Sequence, residues 1–311
     1  LEVKGDFVCN YMAKGDNRVI LSGAAKQTVS IGNGKFATLE LCNDSEDGIF
    51  SYNPFAYDTL IRNGSRLVIG NSTGEFGWTL NENVILDKTL ILIGGTLDLN
   101  GHTLTLNGDF IHQDGVVKIN GGTLIVNGDY RLQSVKNPAG SASSYDAGLG
   151  KLILSGENDV LDINGNMYLQ AGSAGQYAIS AGNISVSGNI TEMSALSFTT
   201  TGGNMLTLDG GTKQTVLLPG AAVAGLKIAN ASDKGVCIEK EFTVNTVLSD
   251  VNAKADGKIA IPRLTVLEDG VFGGDLLVTG NVTFENDYVI SGTVEFTHEA
   301  RLADHTLSAG N

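Results

Sequence analysis

The chain has 311 residues and a net charge of −14, with 41 Gly, 4 Pro and 3 Cys. An acidic surface repels phosphate, which argues against nucleic acid as a partner, and with no run of ~20 apolar residues membrane insertion is not expected. Gly at about twice its usual share beside so little Pro excludes a Pro-rich disordered linker, and the lack of a third-residue glycine period excludes collagen.

The chain opens on Leu1-Glu2-Val3-Lys4-Gly5-Asp6-Phe7 with no signal-peptide pattern, which reads as a fragment or processed form of something longer. This heptad introduces the basic unit: apolar, any, apolar, a small polar residue or Lys, Gly, then often Asp or Asn and another apolar residue. A period of two points the flanking apolar residues inward and the middle residue to solvent. The Gly turns the corner with φ > 0. The unit returns at Leu104 to Phe110, Leu124 to Tyr130, Leu161 to Met167, Ile184 to Ile190 and Leu276 to Val282.

Next comes the block Ile20 to Val29, which contains Lys26-Gln27-Thr28-Val29, and then an acidic turn from Asn43 to Gly48. The turn lacks the Glu that a calcium loop needs six residues past its Gly; Pro54 stands there. From 50 to 84 the pattern loosens, and a loop excursion is expected. This stretch holds Tyr52, Phe55, Tyr57, Phe76 and Trp78, the chain's only Trp. Exposed, they could stack on a glycan or contact a protein ligand; buried, they fill the coil interior.

Asn-Gly then recurs at Asn100, Asn107, Asn120 and Asn127, each after an apolar-x-apolar triplet. The step is 20 residues from Asn100 to Asn120 and again from Asn107 to Asn127. A fixed period of short strands and tight corners describes a solenoid, with these four Asn stacked as a structural ladder. Asn127 and Asn164 are 37 apart, and removing the polar, Gly/Ser-rich stretch 134–150 restores the period. A second excursion is expected there.

A longer repeat overlies the short one. Thr207 to Val216, with Lys213-Gln214-Thr215-Val216, matches Ile20 to Val29 at an offset of 187, and a weaker copy starts at Lys151. The chain therefore reads as one continuous β-helix over 1–311, with a long repeat at 1–183 and an incomplete copy at 184–311. Leu307 to Asn311 resembles Ile179 to Asn183, which precedes a copy of the first heptad. Flanking repeats of the same chain, or end-to-end self-association, would cover strand edges otherwise left open.

The run Gly95 to Leu106, the two Lys-Gln-Thr-Val blocks and the Gly-Asp-Phe/Tyr steps resemble repeats of large bacterial surface proteins, notably those of Gram-positive anaerobes. The wider group includes filamentous-haemagglutinin-like and autotransporter-like adhesin solenoids. The resemblance implies a right-handed parallel β-helix in a secreted or cell-surface protein, acting as a shaft, spacer or adhesin. It carries no catalytic residues over. The expected fold is all-β, with coils of 20–25 residues. Around 14 coils at ~4.8 Å each would extend roughly 65 Å.

Chemistry leaves few candidates. Polysaccharide-degrading or polysaccharide-binding β-helices are the alternative class, yet the Asn-Thr-Asp, Asp-Asp and Gly-His-Gly elements of polygalacturonase-like sites are absent. Asp109 and Asp129 lie one coil apart, about the separation of a retaining glycosidase pair. The same position holds Asp6, Asn166, Asn189 and Asn281, so it reads as a corner residue. His102, His112, His298 and His305 show no metal spacing, and Cys9, Cys42 and Cys237 form no CxxC pair, although one disulfide is open to them. No enzyme activity, metal or cofactor is expected.

Overall fold

Alternation is written into many of the strands. In Thr103–Leu106 the two Leu are wholly buried while Thr103 and Thr105 are partly exposed; Leu124 and Val126 repeat this one turn later. A segment of four residues buries too little to stand alone, so each strand is held by the strands above and below it. The computed structural model describes residues 1–12, 15–53, 56–62, 65–74, 76–136, 144–194, 196–249 and 255–261. It also describes the short segments 270–272, 275–278, 282–283, 288–290, 293–296, 299–301 and 306–309. These residues form a parallel β-solenoid of about ten turns with no helix. The chain divides into two compact units, residues 1–153 with 170–176 and residues 154–169 with 177–311.

In the first unit a coil has three faces. The first face stacks Val84–Leu86, Thr103–Leu106 and Thr123–Val126, with Val84 opposite Leu104 and Leu104 opposite Leu124. The second stacks Ile49–Ser51, Leu67–Ile69, the start of Leu90–Asp98 and the start of Phe110–Lys118, pairing Ile49 with Leu67, Leu67 with Leu90 and Leu90 with Phe110. The third stacks Gly77–Thr79, the ends of those two long strands, and Lys151–Leu154. All these pairings are parallel. The segment 50–84 is therefore not the excursion its loose pattern predicts: Tyr57–Arg62, Leu67–Ile69 and Gly77–Thr79 all pair in the ladders.

The excursion at 134–150 has a definite form. Tyr130–Val135 runs on past its coil and Tyr145–Ala147 returns antiparallel, with Gln133 opposite Ala147 and Val135 opposite Tyr145. The tip, 137–143, lies outside the described residues.

The corners differ. Between the third and first faces, Asn100 and Asn120 both take φ of 48°, followed by Gly101 at 79° and Gly121 at 75°. The left-handed region favours Asn and Gly, because other side chains clash there. Between the second and third faces, Gly95 (φ 83°) lies under Gly115 (φ 82°), where a Cβ would stand 2.5 Å from the Gly95 carbonyl oxygen. Between the first and second faces the Gly of Asn107-Gly108 and Asn127-Gly128 keeps an ordinary φ, so the expected positive-φ corner is not used there.

In the second unit Val160–Ile163, Asn183–Val186, Met205–Leu208 and Ala222–Ile228 stack in register, as Leu161–Ile184–Leu206–Leu226. Met167–Leu169, Ile190–Glu192, Gln214–Leu217 and Val236–Ser249 form a second ladder. Parallel pairing continues through Ala255–Ile261, Asp275–Val278 and Val294–Phe296.

Buried amides clamp the coils. Gln27 is fully buried; its Nε2 donates to the carbonyls of Val3 (3.0 Å) and Gly5 (2.7 Å), and its Oε1 accepts from Gly23 N–H (2.6 Å) and Asn43 Nδ2 (2.8 Å). Asn43 in turn accepts from Ser45 N–H and Oγ, and Ser45 Oγ accepts from Gly48 N–H. In the second unit Gln214 reproduces this, donating to Val186 and Gly188 and accepting from Gly210 N–H and Asn230 Nδ2. Asn230, Ser232 and Gly235 complete the copy. One side chain thereby satisfies polar groups of three successive coils in a space closed to water.

Candidate functional site

The aromatic segment mostly turns inward. Tyr57, Phe76 and Trp78 are buried, and the Trp78 indole N–H donates to the Tyr57 hydroxyl at 3.3 Å inside the coil. Tyr52 alone of the described four is exposed, tilted against Phe50 at 6.0 Å; Phe55 lies outside the described residues. Gly77 and Thr79 face out while Trp78 faces in, as strand alternation dictates. The four described aromatic candidates therefore do not make an open stacking platform.

What the segment leaves outside is a cleft of about 410 Å³, lined by Gly32, Asn33, Gly34, Ala56, Tyr57, Gly77, Trp78, Thr79 and Asn81. It crosses successive coils of the first unit. Among the described residues no charged side chain lines it. The nearby Lys35 and Asp58 are paired with each other.

The second face of the first unit carries an apolar column on its outer side. Phe50 pairs with Val68, Val68 with Ile91 and Ile91 with Ile111, and all four are at most 3% exposed. The excursion covers them: Val135 joins the column, and Ile93 and Tyr145 pack against it. Lys26 Nζ lies 4.0 Å over the Phe50 ring, and the Arg131 guanidinium 4.5 Å over Tyr145. Burial raises the Tyr145 pKa, partly opposed by Arg131.

Asp109 and Asp129 come together as a corner. Asp109 Oδ1 accepts from the Asp129 backbone N–H at 2.8 Å, and Asp129 Oδ2 is paired with Arg131 at 2.6 Å. Asp6, Asn166 and Asn189 accept in the same way from Thr28, Asn189 and Thr215 N–H. Asp109 and its equivalents thus bond the coil above rather than their own turn, while Asp129 pairs with Arg131 on its own strand, so both Asp carboxylates are held in structural bonds.

The Asn ladder is split. Asn127 Nδ2 donates to Asn107 Oδ1 at 2.9 Å and Asn107 Nδ2 to Asp87 Oδ1 at 3.0 Å. Asn100 and Asn120 do not share a side-chain bond: Asn100 Nδ2 donates to Leu80 O and Asn120 Nδ2 to Asp98 Oδ1. The acidic turn at Asn43 serves the Gln27 clamp, and Cys9, Cys42 and Cys237 are not in disulfides. Among the described residues no group of three or more His, Cys, Asp or Glu converges on a metal-sized site, and no helix is long and apolar enough to cross a membrane.

Buried titratable groups also escaped sequence reasoning, among them His112 and Glu192. His112 is fully buried in the first unit, stacked on Phe110 at 5.7 Å, with Nδ1 3.0 Å from the Tyr130 hydroxyl and Nε2 3.2 Å from the Gly115 carbonyl. The carbonyl can only accept, so Nε2 carries the proton and Nδ1 accepts from Tyr130. Burial lowers the His112 pKa to about 4 and raises that of Tyr130. Glu192, in the second unit, is 3% exposed and accepts from Ser194 Oγ at 2.5 Å. Burial raises its pKa, opposed by hydrogen bonds from Ser194, Phe198 and Tyr177. A His in the slot between Phe110 and Gly115 was the only available signal for the first.

No protein-family model, no curated protein and no solved structure matches the chain. The fold thus defines a class, the parallel β-solenoids.

Proposed function

We propose that this chain is a structural and adhesive spacer of a secreted or cell-surface bacterial protein, a shaft whose stiffness comes from continuous parallel strand pairing. The observation that supports this best is the buried amide clamp. The bonds Gln27 makes to the coil below, to its own turn and to Asn43 recur at Gln214 and Asn230 with the same atoms in the same roles. A module that repeats its polar skeleton as well as its core holds its shape coil by coil, which is what a spacer needs. The resemblance of Gly95 to Leu106 and of the Lys-Gln-Thr-Val blocks to repeats of Gram-positive surface proteins supports the location. The net charge of −14 suits a surface that resists non-specific association. End-to-end stacking of copies belongs to the same reading.

Small-angle scattering and surface labelling test it together. A rod-like scattering profile, and antibody labelling of intact producing cells or their medium, are the expected results. A compact isotropic particle, or label reached only after lysis, would overturn the proposal.

A further inference from the structure

The geometry points to the cleft at Gly77 as a binding site for an uncharged saccharide of about two rings, on the flank of the first unit. This goes beyond the spacer reading and does not depend on it.

Size comes first. About 410 Å³ lies within the range of functional ligand sites, ~300–1,000 Å³. The lining spans three successive coils, at Gly32–Gly34, Ala56–Tyr57 and Gly77–Asn81, so at ~4.8 Å per coil the cleft runs along the stack for roughly 10 Å. That direction suits a short chain of rings.

Chemistry comes second. Asn33, Thr79 and Asn81 are exposed around the cleft and offer amide and hydroxyl groups that both donate and accept. Sugar hydroxyls need such two-way partners. The absence of lining charge disfavours a phosphate, a uronate or an ammonium group. Behind the cleft wall, inside the coil, the hydrogen bond between the Trp78 indole and the Tyr57 hydroxyl holds the backbone of both lining segments in place.

Access comes third. A Cβ placed on Gly77 would meet nothing within 4 Å, and its φ is not in the left-handed region. The backbone therefore does not require Gly at this position, and its missing side chain keeps the cleft open. Gly77–Thr79 pairs with Thr96–Asp98 and lines the cleft with its two outward positions, Gly77 and Thr79. An extended peptide would need a longer strand to lie along than Gly77–Thr79, which is three residues. The cleft also runs across the strands rather than along them, which favours the saccharide.

The experiment is a titration of the 15N-labelled chain with neutral disaccharides (cellobiose, maltose, lactose and diacetylchitobiose), a uronic-acid disaccharide and a Val/Thr-rich hexapeptide. At least one neutral sugar is expected to shift the Asn33 and Asn81 side-chain amides and the Gly77 amide. Gly77→Trp, which fills the cleft, should weaken binding at least tenfold, and Asn81→Ala several-fold. Thr105→Val, on another face, should leave it unchanged. Melting curves of the Gly77→Trp protein identify any loss of fold, in which case Asn81→Ala carries the test. No shift with any neutral sugar at tens of millimolar would overturn the proposal. So would binding that survives both cleft variants, or shifts produced only by the uronate or the hexapeptide.

Discussion

Acid should weaken the first unit through His112, by an amount that follows from where the ring sits. An exposed His in the unfolded chain titrates near 6.5, and the buried ring near 4. Its neutral form is the one the fold holds: Nε2–H serves Gly115 and Nδ1 serves Tyr130. Between those two values the unfolded chain binds a proton that the folded chain refuses, so stability rises with pH across that window. The contribution is complete above about pH 6.5 and is lost progressively as pH falls toward 4. At 1.36 kcal/mol per unit, the full span is about 3 kcal/mol. His112→Gln removes the titration while keeping an amide that can donate to Gly115 and accept from Tyr130. Urea unfolding, followed by the fluorescence of Trp78 in the same unit, should then be measured every half unit from pH 7.5 to 4. The wild-type stability should fall by about 3 kcal/mol more than that of the variant. Parallel pH curves for the two proteins, or an NMR titration of His112 with a midpoint near 6.5, would refute the reasoning.

Other predictions follow from single contacts. Gln214→Leu should destabilise the second unit by about 3 kcal/mol or more in urea titrations, since it strands the Gly210 N–H and the Val186 and Gly188 carbonyls. Gly115→Ala should lower the melting temperature, because its Cβ meets the Gly95 carbonyl at a φ of 82°, whereas Gly77→Ala should be near neutral. Glu192→Gln should stabilise the second unit at pH 7. The raised carboxyl pKa means the wild type gains that stability only in acid, so the advantage should shrink as pH falls below the folded pKa of Glu192 and vanish once the carboxyl is protonated in the unfolded chain as well. Trp78 should emit at short wavelength and resist iodide quenching, since it is 3% exposed; quenching typical of a surface indole would contradict its inward placement.

The solenoid was legible in the chain because its signals are local. A triplet such as Leu104-Thr105-Leu106 states which side chains face inward, and the 20-residue step from Asn107 to Asn127 states which residues lie above one another; the bond between those two amides follows directly. The clamp was half legible: the Lys-Gln-Thr-Val blocks mark its place at Gln27 and Gln214, but not the burial of the Gln, which depends on carbonyls a full coil away. Alternation alone also misreads the second face. Phe50, Val68, Ile91 and Ile111 stand on the outward side of their strands and would be solvent-facing by period, yet an antiparallel return through Tyr145 covers them. The same limit applies to Trp78, His112 and the cleft beside Gly77. Local pattern decides which way a side chain points along its own strand. What it meets there is set by coils and excursions far along the chain, and only the tertiary structure brings those together.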